Sequence, residues 1–178
     1  MAKTPGQLLR VFVSSTFLDN RERREIVQDA ILQADMLPVG MERFTAGTDP
    51  VVAECEAAAR DCDIYLGLVA WRYGWVPPGA KISITEMEYN AAAKAGRPRL
   101  MFELSDTVPQ KPATDFDQGP DRWKKQDLLE QFRQRFRADQ TPCGRFWMGS
   151  PDDEPGVSET KARGTRCPWR RSIWAARL

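Results

Sequence analysis

Four short apolar runs, each followed by a segment of helical period, constrain the fold of this chain more than any other feature. Leu8-Leu-Arg-Val-Phe-Val13 ends in the hydroxyls Ser14-Ser15-Thr16, as a buried parallel strand feeding a loop does. A helix follows, with Asp19 and Glu22 spaced as a capping box and Ile26, Val27, Ala30, Ile31 and Ala34 on one face. Leu37 to Met41 reads as a weak second strand, and its Pro38 suits an edge better than the sheet centre. Asp49-Pro50 then opens a helix through Arg60 that buries Val51, Val52, Cys55 and Ala59.

Ile64 to Ala70 is the clearest strand. The loop Trp71–Lys81, with its Pro77-Pro78-Gly79 turn, leads to a helix from Ile84 to Ala95 that stops at Gly96, and Arg99 to Leu104 makes a fourth strand. Residues 105–120 read as a loop. An amphipathic helix over 121–137 is expected to close the sheet with Trp123, Leu128, Leu129, Phe132 and Phe136. Strands alternating with helices of this length require right-handed crossovers, so the expected fold is α/β, a doubly wound, mainly parallel sheet with helices on both faces.

From about Asp139 the character changes. Cys143 to Ser150 reads as a strand and turn, Pro151 to Gly156 as an acidic turn, and the last twenty or so residues show neither period and are expected to be poorly ordered. Two parts are therefore expected, an α/β domain over 1–138 and an incomplete segment over 139–178.

Composition narrows the chemistry. Histidine is absent, which removes Ser-His-Asp and Cys-His systems, imidazole acid–base catalysis and the commonest zinc ligand. The four cysteines, Cys55, Cys62, Cys143 and Cys167, lack zinc-ligand spacing and read as free thiols in a reducing compartment, so neither a metal nor another cofactor is expected. The net charge of +1 hides six basic residues and no acidic one over 161–178, which leaves about −5 for the rest. Such a body lacks the basic field of a nucleic-acid binder. No run approaches the length of a membrane span, and Met1 to Gln7 lacks a signal-peptide layout, so a cytoplasmic protein without membrane contact is expected.

In an open parallel sheet, ligands bind beyond the carboxyl ends of the strands. The residues expected there are Ser14, Ser15 and Thr16; Glu42, Arg43 and Phe44; Trp71, Arg72, Tyr73 and Gly74; and Ser83-Ile-Thr-Glu-Met-Glu88. Hydroxyls, a guanidinium, aromatics and carboxylates suit a nucleotide or nucleoside, while G-x-G-x-x-G and G-x-x-x-x-G-K-[ST] are both missing. Cleavage at a ribose anomeric carbon fits, because one carboxylate can stabilise or trap an oxocarbenium-like state. A nicotinamide leaving group departs without an acid. Each residue also has a structural alternative: Ser83-x-x-Glu86 and Thr85-x-x-Glu88 both match capping boxes, the serines suit a turn, Arg72 could pair with Glu42 or Asp63, and Trp71, Tyr73 and Trp75 could form a packed lid.

The motifs Val11-Phe-Val-Ser-Ser-Thr-Phe17, Pro38-Val-Gly-Met-Glu42-Arg-Phe44, Cys62-Asp-Ile-Tyr65, Arg72-Tyr-Gly74 and Ser83-Ile-Thr-Glu-Met-Glu-Tyr89 with Gly96-Arg-Pro98 resemble, in order over 8–104, a bacterial family of TIR-like domains. That family is related to TIR domains, some of which cleave NAD, and to nucleoside deoxyribosyltransferases, which share a flavodoxin-like architecture. Glu88 to Pro98 is similar to the transferase segment carrying the glutamate nucleophile, which implies Glu88 as the catalytic residue. Phe12 stands where the transferases have tyrosine, and Trp71-Arg-Tyr-Gly74 replaces their aspartates.

The resemblance implies a signalling or defence module that binds a nucleotide such as NAD through Ser14, Ser15, Thr16, Glu42, Arg72 and Tyr73, and hydrolyses its N-glycosidic bond. The alternative is a non-catalytic adaptor of a larger sensor that self-associates. Gly144 to Glu154, with Glu159, resembles the opening of a formylglycine-generating-enzyme or sulfatase-modifying domain, and the Arg-, Ala- and Trp-rich sequence after Gly156 suggests a truncated or frameshifted end.

Overall fold

A computed structural model describes residues 7–40, 50–105, 108, 115–139 and 143–146, all within the first of two units, Met1–Phe146. The elements are β1 (Leu9–Ser15), α1 (Arg21–Gln33), β2 (Met36–Val39), α2 (Pro50–Asp61), β3 (Ile64–Val69), α3 (Ile84–Lys94), β4 (Arg99–Leu104), α4 (Arg122–Ala138) and β5 (Cys143–Phe146). The five strands form one parallel sheet in the order β2-β1-β3-β4-β5. The order reverses between β1 and β3, which puts the topological switch point at the carboxyl end of β1. Cys143–Phe146, the start of the segment that the sequence sets apart, pairs with β4 as the fifth strand.

Side-chain alternation divides the interior into two layers. On one face Phe12, Tyr65, Val69 and Met101 pack against Ala59 of α2, Tyr89 and Ala92 of α3, and Leu129, Phe132 and Phe136 of α4. On the other face Val11, Val13, Leu66 and Leu68 pack against Ile31 of α1, with Val27 at the margin. Helices thus cover both faces of a doubly wound α/β sheet. Pro38 lies opposite Val11 on β2, the edge strand, which is where proline is tolerated in a sheet.

Three sequence expectations change. Ile26 is 54% exposed and Ala30 and Ala34 face solvent, whereas Arg24, Val27 and Ile31 form the inward stripe of α1. The helix is turned by the buried guanidinium of Arg24, which donates to the carbonyl of Val13 at 3.2 Å. Its N-cap is Asn20 rather than Asp19, and no side chain caps it. Trp123, expected to pack on the sheet, is 69% exposed and lies beneath the guanidinium of Arg122, 4.6 Å from its ring centroid. Position 123 faces away from the Leu129–Phe132–Phe136 stripe, so the helix buries one narrow face.

Among the described residues no helix is long and apolar enough to cross a membrane. Glu42, Arg43, Phe44 and the chain from Trp147 lie outside the described residues. The ring of Phe136 meets Tyr89 and Phe132 edge-on or tilted, at 6.4 and 5.3 Å between centroids, and is fully buried. Phe136→Ala should therefore cost about 3–5 kcal/mol of unfolding free energy, read as a fall in urea midpoint; an unchanged midpoint would show that α4 is not part of the cooperative core.

Candidate functional site

The carboxyl end of β1 carries three hydroxyls, and the pleat sends neighbours to opposite faces. The hydroxyl of Ser14 donates to Oε2 of Glu88 on α3. Ser15, on the opposite face, accepts from Arg24 at 2.8 Å and donates to the carbonyl of Thr16 at 3.0 Å. Thr16 donates to Oδ1 of Asp19 at 2.5 Å and accepts from Asn20 at 3.2 Å. These hydroxyls bind the strand end to α3, to α1 and to the loop between β1 and α1.

Glu88 is the unusual member. It is 1% exposed, and among the described residues its second oxygen, Oε1, accepts no hydrogen bond of good geometry. Burial pushes its carboxyl up to about 7, against the smaller lowering effects of the Ser14 hydroxyl, the neighbouring Cys55 thiol and the charge of Arg24. Near neutral pH the group is therefore poised between acid and carboxylate. Burial, together with the charge of Glu88, pushes the Cys55 thiol up to about 12, so it stays protonated and is no nucleophile. Buried Tyr65 likewise holds its phenol proton, its pKa raised first by burial and then by Glu88.

The two candidate capping boxes have separate fates. Ser83 caps α3 by accepting from the amide of Glu86 at 3.4 Å. The return half is carried by a phenol, because Tyr73 Oη accepts from the amide of Ser83 at 3.2 Å and donates to Oε2 of Glu86 at 2.5 Å. Oε1 of Glu86 meets Arg135 of α4 at 2.6 Å. Glu86 is thus a structural carboxylate. Glu88, two positions on, faces a different way and bonds Ser14 instead of capping its own helix.

The loop after β3 is held by two buried aspartates. Asp117 accepts from the amides of Tyr73 and Gly74 at 2.7 and 3.3 Å, and its carboxylate lies 3.7 Å from Arg72 and 3.6 Å from Lys125. Asp19 accepts from the amide of Arg72 at 3.2 Å, and burial raises its pKa. Arg72 also donates to the carbonyl of Phe116 at 3.1 Å. Asp63, one of the two carboxylates the sequence offered to Arg72, accepts from the amide of Arg10 at 2.6 Å, and Glu42 lies outside the described residues. Gly74 has φ +94°, and a Cβ there would stand 2.8 Å from Cγ2 of Thr16, so the β1 and β3 loops touch where a side chain cannot fit.

The structure thus brings Ser14 and Glu88 into contact, while Ser15, on the opposite face, and Thr16, Arg72 and Tyr73 serve as ties between neighbouring elements and loops. Tyr73 and Trp71 are buried, at 1% and 9% exposed. Arg24, Asp19, Cys55 and Asp117 were absent from the sequence-derived set. A charged residue in helical register with Val27 and Ile31 signals Arg24; nothing near Asp117 distinguishes it from other loop aspartates. No group of three or more metal-ligating side chains occurs among the described residues.

A doubly wound parallel α/β domain with a buried carboxylate at the switch-point end of its first strand is the class of protein that fold and site define. Residues 10–154 match the family described as Domain of unknown function (DUF4062), and the chain belongs to that family. No curated protein matches. Among solved structures the chain is similar to a 2-desoxiribosyltransferase from Leishmania mexicana (17% identity, 57% of this chain and 67% of the other, TM-score 0.44). It is also similar to a CMP N-glycosidase of Clostridium botulinum (10% identity, 86% and 98%, TM-score 0.41) and to a conserved protein of Enterococcus faecalis (14% identity, 88% and 99%, TM-score 0.46).

A buried carboxyl raised to about 7 has a consequence for stability. Below about pH 4.5, the ordinary value for the unfolded chain, Glu88 is neutral in both states and costs nothing. As pH rises from there to about 7 the unfolded chain releases the proton first, stability falls by roughly 3 kcal/mol, and the loss persists above pH 7. Glu88→Gln keeps an acceptor for Ser14 and removes the charge. The variant should match the parent near pH 4.5 and exceed it at pH 8, in denaturant midpoints; an equal gap at both pH values would contradict the shift.

Proposed function

We propose that this chain is a TIR-like signalling or defence effector module that binds a nucleotide or nucleoside and cleaves its N-glycosidic bond through Glu88. The observation that carries this reading is the buried Ser14–Glu88 contact, in which Oε1 accepts no hydrogen bond of good geometry and, among the described residues, the only other donor beside the carboxylate is the weak Cys55 thiol. A fold gains nothing from burying such a carboxylate, so a reactive role is its best explanation. Ser14 fixes one oxygen, and the other keeps its lone pairs for an electrophilic carbon.

The step follows from that asymmetry. The bond from the anomeric carbon to the base nitrogen breaks, its electron pair leaves with the base, and Oε1 of ionised Glu88 stabilises or traps the oxocarbenium-like centre. Water then adds to that carbon, loses a proton and releases the sugar, restoring the carboxylate. A cationic nicotinamide leaves as a neutral ring and needs no acid; other bases take up a proton from solvent. In this reading Ser15, Thr16, Arg72 and Tyr73 hold the loops that frame the centre, and NAD is one candidate substrate.

A second reading draws on the packing of Trp71 and Tyr73, which suits a closed crevice. It makes the chain a non-catalytic adaptor of a larger sensor that acts by self-association.

Incubation of the purified chain with NAD and a panel of nucleosides, at concentrations that favour self-association, separates the two. Under the first reading mass spectrometry detects free base from the parent, and Glu88→Gln lowers the rate by at least a hundredfold. Because the reactive form is the carboxylate, the rate should rise with pH through about 7 and then level. No release at any concentration or pH from 5 to 9 would leave the adaptor.

A further inference from the structure

A buried guanidinium on the far face of the sheet grips β1 on either side of Ser14. Arg24 of α1 is 2% exposed. One of its nitrogens, Nη1, donates both to the carbonyl of Val13 at 3.2 Å and to the hydroxyl of Ser15 at 2.8 Å. Those two residues flank Ser14, whose own hydroxyl leaves on the opposite face and donates to Glu88. Holding the Val13 carbonyl fixes the planar peptide that leads into Ser14, and holding Ser15 fixes the residue that follows it.

Packing gives no reason for a cation at this position. Arg24 shares the inward stripe of α1 with Val27 and Ile31, against the apolar layer of Val11, Val13, Leu66 and Leu68. An apolar side chain would fill that layer without the desolvation that a buried guanidinium requires. What the cation adds lies across the strand. Two buried groups of opposite charge, Arg24 and Glu88, stand on the two sides of β1 with Ser14 and Ser15 between them, and the charge of Arg24 favours the ionised carboxylate.

We propose that Arg24 is the positioning residue of the Ser14–Glu88 pair: from the far face of the sheet it holds the end of β1 so that the Ser14 hydroxyl meets the carboxylate, and it sets a positive charge across the strand. That the carboxylate so held is the reactive one rests on the glycosidase reading above. The titratable and charged groups around Glu88 are the Cys55 thiol of α2, the Tyr65 phenol of β3 and Arg24 of α1. The thiol and the phenol keep their protons well above neutral pH and the guanidinium keeps its charge. Near neutral pH Glu88 is therefore the member of this cluster that titrates.

The test follows the Glu88 carboxyl carbon by NMR through a pH titration of the full chain, with Glu88→Gln identifying the resonance. Arg24→Met should raise the midpoint from about 7 by roughly half a pH unit or more, and Arg24→Lys, which keeps a positive nitrogen, should reverse most of that rise. Ser14→Ala should also raise the midpoint in the parent, yet add little to Arg24→Met, because a hydroxyl no longer held on the carboxylate has little left to lose. In the parent itself, where no variant has to fold, the guanidinium nitrogens of Arg24 should shift with the same midpoint as Glu88, and that shift should vanish in Glu88→Gln. A Glu88 midpoint unmoved by Arg24→Met, or Arg24 signals in the parent that do not follow Glu88, would overturn the proposal. Fully additive effects of Ser14→Ala and Arg24→Met would overturn the positioning role, since charge acting alone adds. These readings need no substrate, so a chain that shows the coupling and releases no base overturns the glycosidase reading alone. Where base is released, the pH profile of the rate should move upward in Arg24→Met by the same amount as the Glu88 midpoint.

Discussion

Where α3 crosses the carboxyl end of β1, the hydroxyl of Ser14 meets the carboxylate of Glu88, and the neighbouring structure is arranged around that contact. A carboxylate in a low-dielectric interior favours its neutral form, and one hydroxyl, one thiol and a guanidinium on the far face of the sheet only partly offset the cost. The cost is borne by the two layers on either side of it. Phe12, Tyr65, Tyr89 and the α4 phenylalanines fill one side, and Val13, Leu66 and Ile31 the other. A sheet this well packed can hold one unfavourable group in a fixed place, which is the condition for a reactive one.

Around the pair, the loops are tied by carboxylates rather than by apolar contacts. Asp117 gathers two amides and two cations, Asp19 bridges Thr16 to the amide of Arg72, and Glu86 joins Tyr73 to Arg135. Each is matched by donors, so each adds rigidity at little net cost. Glu86 and Glu88 show the contrast within one helix: the first is saturated by a phenol and a guanidinium, the second has one hydroxyl, a neighbouring thiol and an oxygen that accepts no hydrogen bond of good geometry.

Much of the fold was legible in the sequence because it depends on local periodicity. The four strands, the edge position of Pro38, the stop at Gly96 and the Leu129–Phe132–Phe136 stripe all follow from spacing and from the chemistry of proline and glycine. The phase of α1 did not, since an apolar count favours Ile26 over a charged Arg24 whose partners lie on another element. Trp123 misled for the same reason: an aromatic near an amphipathic stripe is counted as part of it until the helix is rotated against a sheet.

The site divides along a similar line. The sequence by itself determined which residue types gather at the carboxyl ends of the strands, that histidine chemistry is absent, and that Glu86 and Glu88 compete for one cap. Tertiary structure decided which carboxylate is saturated by a phenol and a guanidinium and which meets the Ser14 hydroxyl. Alternation sends Ser14 and Ser15 to opposite faces, and only the crossing of α3 over β1 brings Ser14 to Glu88 across 74 positions of chain. Contacts between residues so far apart leave no trace in local spacing, because they are set by how the packed layers meet rather than by the period of any one segment.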